Sequence, residues 1–366
     1  MISETFAVGP LGSVGEMSDG GGPAAGERRR QLLGTKLRAL ASSHLGVELD
    51  VEPIDFGTGA GFVLDGAAWV IVDGPAGRTL GASLVWAIRR RARSLDVVAE
   101  HGGGQLARRA AGFEFPIRVW FPENRALLPV VAEAAPPIYA ADPDHLDLLR
   151  LINAGGATPL VERGVVTGDV RGLEVCRVVD EPTVGQFAEL NDVPTDLISQ
   201  PAEGVCLEVG VGANDREASQ LIHGHLPKVA VLADVVASVT AHRSMDAPQH
   251  PLNRMAPERF LRWRAQQNPG ILGLASLVPV DPPVPRQSVK HVEPCVARGV
   301  DADGQFVAVV FSCGVDLDLT PFVADVALSL PNEVKRVLIA APERDLVAAT
   351  QDLAGLLDRP VEMAGL

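Results

Sequence analysis

The sequence predicts an α/β fold made of tandem duplicated mixed-sheet units resembling one another, with a helical insertion in the second half. Two stretches of the chain carry this expectation. Ala68-Trp-Val-Ile-Val-Asp-Gly74, a helical span over Leu80–Arg91, Leu95-Asp-Val-Val-Ala-Glu100, a short helix near Leu106–Ala111 and Pro116-Ile-Arg-Val-Trp120 run strand–helix–strand–helix–strand. The same order returns in Phe306-Val-Ala-Val-Val-Phe311, Pro321–Leu330, Arg336-Val-Leu-Ile-Ala-Ala341, Asp345–Leu357 and Pro360-Val-Glu-Met363, and both final strands open with proline. A third observation sets the scale: 366 residues, 47% of them hydrophobic, suffice for two domains with sizeable cores.

Taken in order, residues 1–26 are rich in Gly, Ser and Pro and lack the basic flank and apolar core of a signal peptide, so they read as a disordered leader. Residues 27–131 form the first α/β unit. It opens with a helix over Glu27–His44, in which Leu32, Leu33, Leu37 and Leu40 recur near helical spacing and Gly46 closes the end. Val47–Val51, Gly61–Leu64 and Ala68–Val72 follow as three strands. Residues 132–143 are a Pro/Ala-rich linker.

Residues 144–366 form the second unit. His145–Ala154 reads as its leading helix, and Thr158–Val166, Gly172–Val179 and Gly204–Gly210 as its strands, with Asp180–Gln200 a loop excursion. Helices over Asp215–His223, Pro227–His242 and Ala256–Arg264 then make a helical insertion at about residues 215–290, and Ser276–Pro294 reads as a proline-rich connector to the tail.

The formal net charge is −14, and lysine occurs only four times. That acidity argues against a broad nucleic-acid-coating surface. Local arginine clusters (Arg28–Arg30, Arg89–Arg93, Arg108-Arg109) leave nucleic acid open as a partner, while solvated helix faces and ends are the preferred account of them. Cys176, Cys206, Cys295 and Cys313 contain no CxxC pair and read as buried free thiols. No apolar run is long enough for a transmembrane helix, which gives a cytoplasmic protein without membrane contact as the expectation.

A helix, a three-strand meander and a crossover helix to a further strand resemble the core of the restriction-endonuclease-like PD-(D/E)xK superfamily. That superfamily places Glu-x-Lys on its third strand; here the corresponding positions read Val72-Asp73-Gly74 and Phe311-Ser312-Cys313, so the resemblance implies a degenerate catalytic place in both tails. Gly172-Leu-Glu-Val-Cys-Arg177, Leu207-Glu-Val-Gly-Val-Gly-Ala-Asn-Asp-Arg-Glu-Ala218, His250-Pro-Leu-Asn-Arg254 and Glu258-Arg-Phe-Leu-Arg262 further resemble an uncharacterised protein family of GC-rich bacteria, which implies a grouping and no activity.

Polar residues concentrate between Glu162 and Arg262, where chemistry is expected. Glu174 and Glu208 each lie inside an apolar strand, and Glu162 and Asp169 flank another. A buried carboxylate needs a partner charge, so these four are candidate ligands for Mg²⁺ or Mn²⁺, which could activate water against a phosphodiester. Alternation on a half-exposed sheet explains the same residues without a metal.

The stretch Gly210, Gly212, Asn214, Asp215, Arg216 ends a strand and opens a helix, a place where free N–H groups and an arginine can meet an anion, with Asn214 or Asp215 as the helix cap. It also resembles the first motif of class I methyltransferases, with Asn214 in place of the third glycine, which implies S-adenosylmethionine. His223 and His250 are the candidate acid–base residues, although a turn position also explains His250. The functional expectation is thus a divalent-metal-dependent or decayed nuclease-like protein. A non-catalytic binding or scaffold protein and a methyltransferase are the alternatives.

Overall fold

The computed structural model describes residues 23–57, 59–180, 204–244, 250–286, 292–329 and 334–366. Residues 1–22 of the expected disordered leader and the expected loop excursion from residue 181 onward lie outside them, while residues 23–26 of that leader are not disordered but belong to the first helix.

α1 (Pro23–Leu45) ends at Gly46, whose φ of 70° is the left-handed conformation that glycine supplies at a helix end. β1 (Ile54–Phe56), β2 (Gly59–Leu64) and β3 (Ala67–Val72) form an antiparallel meander. α2 (Leu80–Arg89) crosses to β4 (Ser94–Ala99), parallel to β3, and α3 (Gly103–Ala110) crosses to β5 (Ile117–Glu123), parallel to β4. β6 (Ala126–Pro129) folds back antiparallel on β5. The first strand begins at Ile54 and not at Val47. Pro53 lacks a backbone N–H, so the ladder starts only after it, and the preceding segment lies along α1 with the Leu49 N–H donating to Ser42 Oγ at 3.3 Å.

After the short helices α4 (Pro143–Leu146) and α5 (Leu149–Ala154), the chain forms a second sheet, antiparallel throughout. Its order is β10 (Cys206–Val209), β9 (Leu173–Val179), β8 (Val165–Val170), β7 (Thr158–Glu162). The expected single strand Thr158–Val166 is a hairpin, turned at Arg163-Gly164 with φ of 51° and 84°. α6 (Ala213–His223), α7 (Lys228–His242) and α8 (Pro251–Arg254) follow, and α7 packs Leu232 and Val239 into this sheet's core with Ile152 of α5.

α9 (Pro257–Gln267) leads into the third sheet: β11 (Leu274–Val280), β12 (Cys295–Asp301), β13 (Phe306–Phe311), α10 (Leu319–Ser329), β14 (Val334–Ala341), α11 (Ala348–Ala354) and β15 (Val361–Gly365). β11–β13 are antiparallel, and β13–β14 and β14–β15 parallel, which are the pairing senses of β1–β5. The repeated topology is therefore α1 through β5 and α9 through β15. The second tail is fed by α9 and β11–β13, whereas His145–Ala154 and the strands between Thr158 and Gly210 build the intervening sheet. The span expected as helical insertion and proline connector contains β11, and β12, which was not expected, follows directly after it. β11 is an edge strand, where Pro279 is tolerated because an edge has one row of unpaired groups.

The central strands are buried on both faces. On the first sheet Trp69, Ile71 and Val98 face α1, where they meet Leu37, Leu40 and Ala41. On the third sheet Val307, Val309 and Phe311 face Leu261 and Ala265 of α9. The opposite faces, Val70, Val97, Val310 and Ile339 among them, share a single core with Leu80 and Leu84 of α2, Leu106 of α3, Val323 and Val326 of α10 and Leu353 of α11. The layers are thus α1, first sheet, a common layer of four helices, third sheet, α9.

The two copies meet reciprocally. Phe113 bridges Leu357, the Glu114 N–H donates to Leu356 O at 2.8 Å, and the Asp358 N–H donates to Gly112 O at 3.0 Å. Close approach requires glycine at two places: a Cβ on Gly81 would sit 2.1 Å from Leu317 O, and one on Gly112 2.8 Å from the Ala324 methyl. Gly81→Ala is expected to destabilise the fold by about 2 kcal/mol or more in urea unfolding. Gly355→Ala is the control, expected to change stability by no more than ~1 kcal/mol, because its Cβ would meet nothing closer than 3.5 Å.

Candidate functional site

The carboxylates singled out from the sequence lie on the middle sheet, and the register explains how they meet. Asp169 of β8 stands directly opposite Glu174 of β9, and Arg177 stands between Thr167 of β8 and Glu208 of β10. Regular alternation would send Glu174 and Arg177, three residues apart, to opposite faces. The pairing slips by one residue between Gly168 and Asp169, leaving Val175 as an extra residue in β9 and re-phasing the strand. Arg177 then donates to both oxygens of Glu174, at 2.9 and 3.1 Å.

Two helices bring further arginines to this face. Arg216 of α6, itself buried, donates from Nη1 to Glu174 at 3.1 Å and from Nε to Glu208 at 3.3 Å. Arg259 of α9 donates to both oxygens of Glu162 and approaches Asp169 at 3.8 Å. All four predicted ligands are therefore gathered on one sheet, and each faces a guanidinium. Burial pushes Asp169 above the ordinary carboxylate range, opposed by the charges of Arg259 and Arg262. Among the described residues, no group of three His, Cys, Asp or Glu side chains is arranged to hold a metal ion. The donor set does not fit Mg²⁺ or Mn²⁺: the positive charge these acids need is supplied by the guanidinium groups of Arg177, Arg216 and Arg259.

The turn at Gly210–Arg216 is likewise satisfied from within. Gly212 at φ 84°, ψ 168° is the cap of α6, in place of the expected Asn214 or Asp215. That conformation is open to glycine and swings the chain so that Asp215 reaches back, accepting the Val211 N–H at 2.6 Å. A Cβ at Gly210 would collide with the Arg216 backbone at 2.8 Å. Asp215 thus supplies an anion of its own at this helix start, Asn214 is exposed, and Arg216 points inward. β10 is an edge strand whose one neighbour is antiparallel, so the parallel strand order that the methyltransferase motif uses is not formed around it among the described residues.

The histidines are apart from the acids' guanidinium contacts. His223 is exposed at the end of α6. His250 caps α8, its Nδ1 accepting the Leu252 N–H at 3.3 Å, and its ring stacks on His242 at 4.2 Å.

Two features were not anticipated. Arg243, fully buried, donates to four carbonyls, those of Arg171, Leu252, Met255 and Ala256, at 2.6 to 3.0 Å. Burial lowers its pKa to about 10, still far above neutrality. The second is a cleft of about 520 Å³ where the three sheets come together, with Arg78, Arg109, Glu162, Arg259, Arg286 and Asp318 on its walls. Arg108 and Arg109 of α3 point into this region but are held by Asp325 of α10, Arg108 at 2.6 Å and Arg109 at 3.0 Å. That cluster is an internal ion pair and no basic surface. Asp318 accepts the Gly81 N–H at 2.9 Å and so caps α2 from the other copy. Burial raises its pKa to about 6, against the opposing pull of that hydrogen bond. A pattern in the sequence could have flagged Arg259 and Arg262, which share a helix face with Glu258; nothing local announces the bulge that joins Glu174 to Arg177.

Comparison with family models, with curated proteins and with solved structures returns no match.

Two outcomes follow from this chemistry. Arg216→Met leaves two buried carboxylates without their shared partner and should cost about 3–5 kcal/mol in denaturant unfolding, largely restored when Glu174→Gln and Glu208→Gln are added. For Asp318, the folded carboxyl holds its proton up to about pH 6 while the unfolded one releases it near 3.8, so its contribution is full at low pH and is lost as pH rises through about 6. Asp318→Asn keeps an acceptor for the Gly81 N–H. It should remove that decline, raising stability at neutral pH relative to wild type by at most about 3 kcal/mol in thermal melts across pH 4–8.

Proposed function

We propose that this chain works by binding, as a non-catalytic scaffold, and not as a nuclease or a methyltransferase. The observation that carries the reading is Arg216, whose one guanidinium joins Glu174 and Glu208 where a catalytic cation would have to sit. Paired carboxylates become metal ligands only when they present uncompensated negative charge. Here that charge is spent on fixing β9, β10 and α6 to one another. The symmetric pairing of the two outer units gives a broad frame with the cleft at its centre, an arrangement suited to holding other molecules.

Calorimetric titration with Mn²⁺ tests this reading on wild type and on Glu208→Gln, with circular dichroism confirming that the variant folds. Neither protein should give saturable heat. A saturable signal in wild type that Glu208→Gln abolishes would overturn the scaffold reading in favour of metal-dependent chemistry.

A further inference from the structure

The cleft where the three sheets meet lies beyond the carboxyl ends of β3 and β13, each of which has a parallel neighbour. The loops leaving those strands supply Pro75, Gly77 and Arg78 from the first unit and Asp316 and Asp318 from the third. Crevices beyond the carboxyl ends of parallel strands are where open α/β sheets hold small ligands. A space of about 520 Å³ is of the size such ligands occupy. Phe322, Val284, Val292 and five prolines give it apolar surface, and the fixed φ of proline stiffens the walls.

The charges on these walls do not balance. Four of the five guanidiniums are already taken: Arg108 and Arg109 by Asp325, Arg259 by Glu162 and Arg286 by Glu258. Among the carboxylates, Glu133 meets Arg108 and Glu162 meets Arg259. Glu293, Asp316 and Asp318 make no ion pair among the described residues. Against these three stands Arg78, which is exposed and donates to the Val292 carbonyl at 3.4 Å.

Asp318 is 7% exposed, so its charge is the costliest of the three to leave uncompensated. Capping α2 through the Gly81 N–H asks only for an acceptor, which an asparagine also provides. The negative charge is therefore extra to the fold. Desolvation and the repulsion of Asp316 raise the Asp318 pKa to about 6, while Arg109 opposes them from beyond ion-pair distance. The charged groups around this carboxyl are Asp316 on its own loop, Arg78 before α2, Arg109 on α3 and Glu293 before β12.

We infer that the cleft binds a small-molecule amine, with its ammonium on Asp316 and Asp318 and its apolar body against Phe322 and Val284. This deepens the binding reading of the chain, on which it rests. An ammonium supplies the missing counter-charge, donates to the carboxylate oxygens and lets Asp318 ionise inside the cleft. Binding is accordingly linked to pH. The charged form of Asp318 is the competent one, so affinity grows as pH rises through about 6 and levels off above it.

The probe is phenethylamine, titrated calorimetrically into the full chain, with phenylacetate as a control of similar shape and opposite charge. Saturable binding of the amine is expected at pH 7, weakened about tenfold at pH 5. Asp318→Asn, which keeps the cap of α2, should weaken the amine at least about tenfold at pH 7 and remove the difference between the two pH values. Absence of saturable amine binding to wild type, or binding indifferent to Asp318→Asn or to pH, overturns the proposal. So does saturable binding of phenylacetate in place of the amine at pH 7, which assigns the cleft to anions through Arg78 and the buried, unpartnered Nε–H of Arg259. The Mn²⁺ titration reports on Glu174 and Glu208 and not on Asp318, so the scaffold reading and this inference fail separately.

Discussion

The helical layer shared by the first and third sheets is the constraint on which the rest of the molecule depends. Each sheet buries one face against its own leading helix, α1 or α9, and the other face against α2, α3, α10 and α11 together. A sheet with both faces apolar must be covered on both, so neither copy has a complete core without the other. The four helices approach closely enough that Gly81 lies against the Leu317 carbonyl and Gly112 against Ala324. The bridge between Phe113 and Leu357 then fixes the crossing through two hydrogen bonds that exchange corresponding residues of the two copies. The cleft borders the same helical layer, with Arg108 and Arg109 of α3 and Phe322 of α10 on its walls.

The middle sheet is organised by charge as much as by apolar burial. Arg259 belongs to the leading helix of the third unit, yet its partners Glu162 and Asp169 lie on the middle sheet. Arg243 ties the β8–β9 turn to the ends of α7, α8 and the start of α9 through carbonyls alone. Buried ion pairs recover little net free energy once desolvation is counted, but a wrong arrangement strands a charge in a low-dielectric interior and is heavily penalised. Such contacts therefore select one docking of the middle sheet on the outer pair. This is a structural use of the residues that, read as a sequence, resemble a metal centre.

The parts of the fold legible in the sequence were those governed by local periodicity. The runs Ala68–Val72 and Phe306–Phe311 are apolar on both faces, and the helices between them repeat with helical spacing, so both tails were visible. β11 and β12 were not. Pro279 and the prolines after it read as a connector, and the edge position that tolerates them is a property of the assembled sheet. The same limit applies to the site. The four acids could be placed on neighbouring strands from their setting in apolar runs, but their partners come from α6, α9 and a bulge at Val175, which are long-range or irregular features. A buried carboxylate announces that it needs a counter-charge and does not say whether a cation or an arginine provides it.

The departures from symmetry carry more functional information than the symmetry itself. Where two copies share a fold, positions that serve the common core stay alike in character: Leu84 and Val323 in the helices, Ala110 and Ala354, Phe113 and Leu357 are all buried and apolar. The differences gather at two places. At the cleft, Arg108 and Arg109 meet Asp325, while their counterparts Asp352 and Leu353 make no such pair with α2, so only one side of the molecular axis carries the polar seam. At the last strands, the first copy folds its own chain over the groove between α3 and β5, and glycines at 103 and 104 leave room for it. The second copy has Val347 and Ala348 in those places. Their side chains take up room that the first unit leaves to Val130 and Glu133. The two units thus differ in the room that their helices leave beside the last strand.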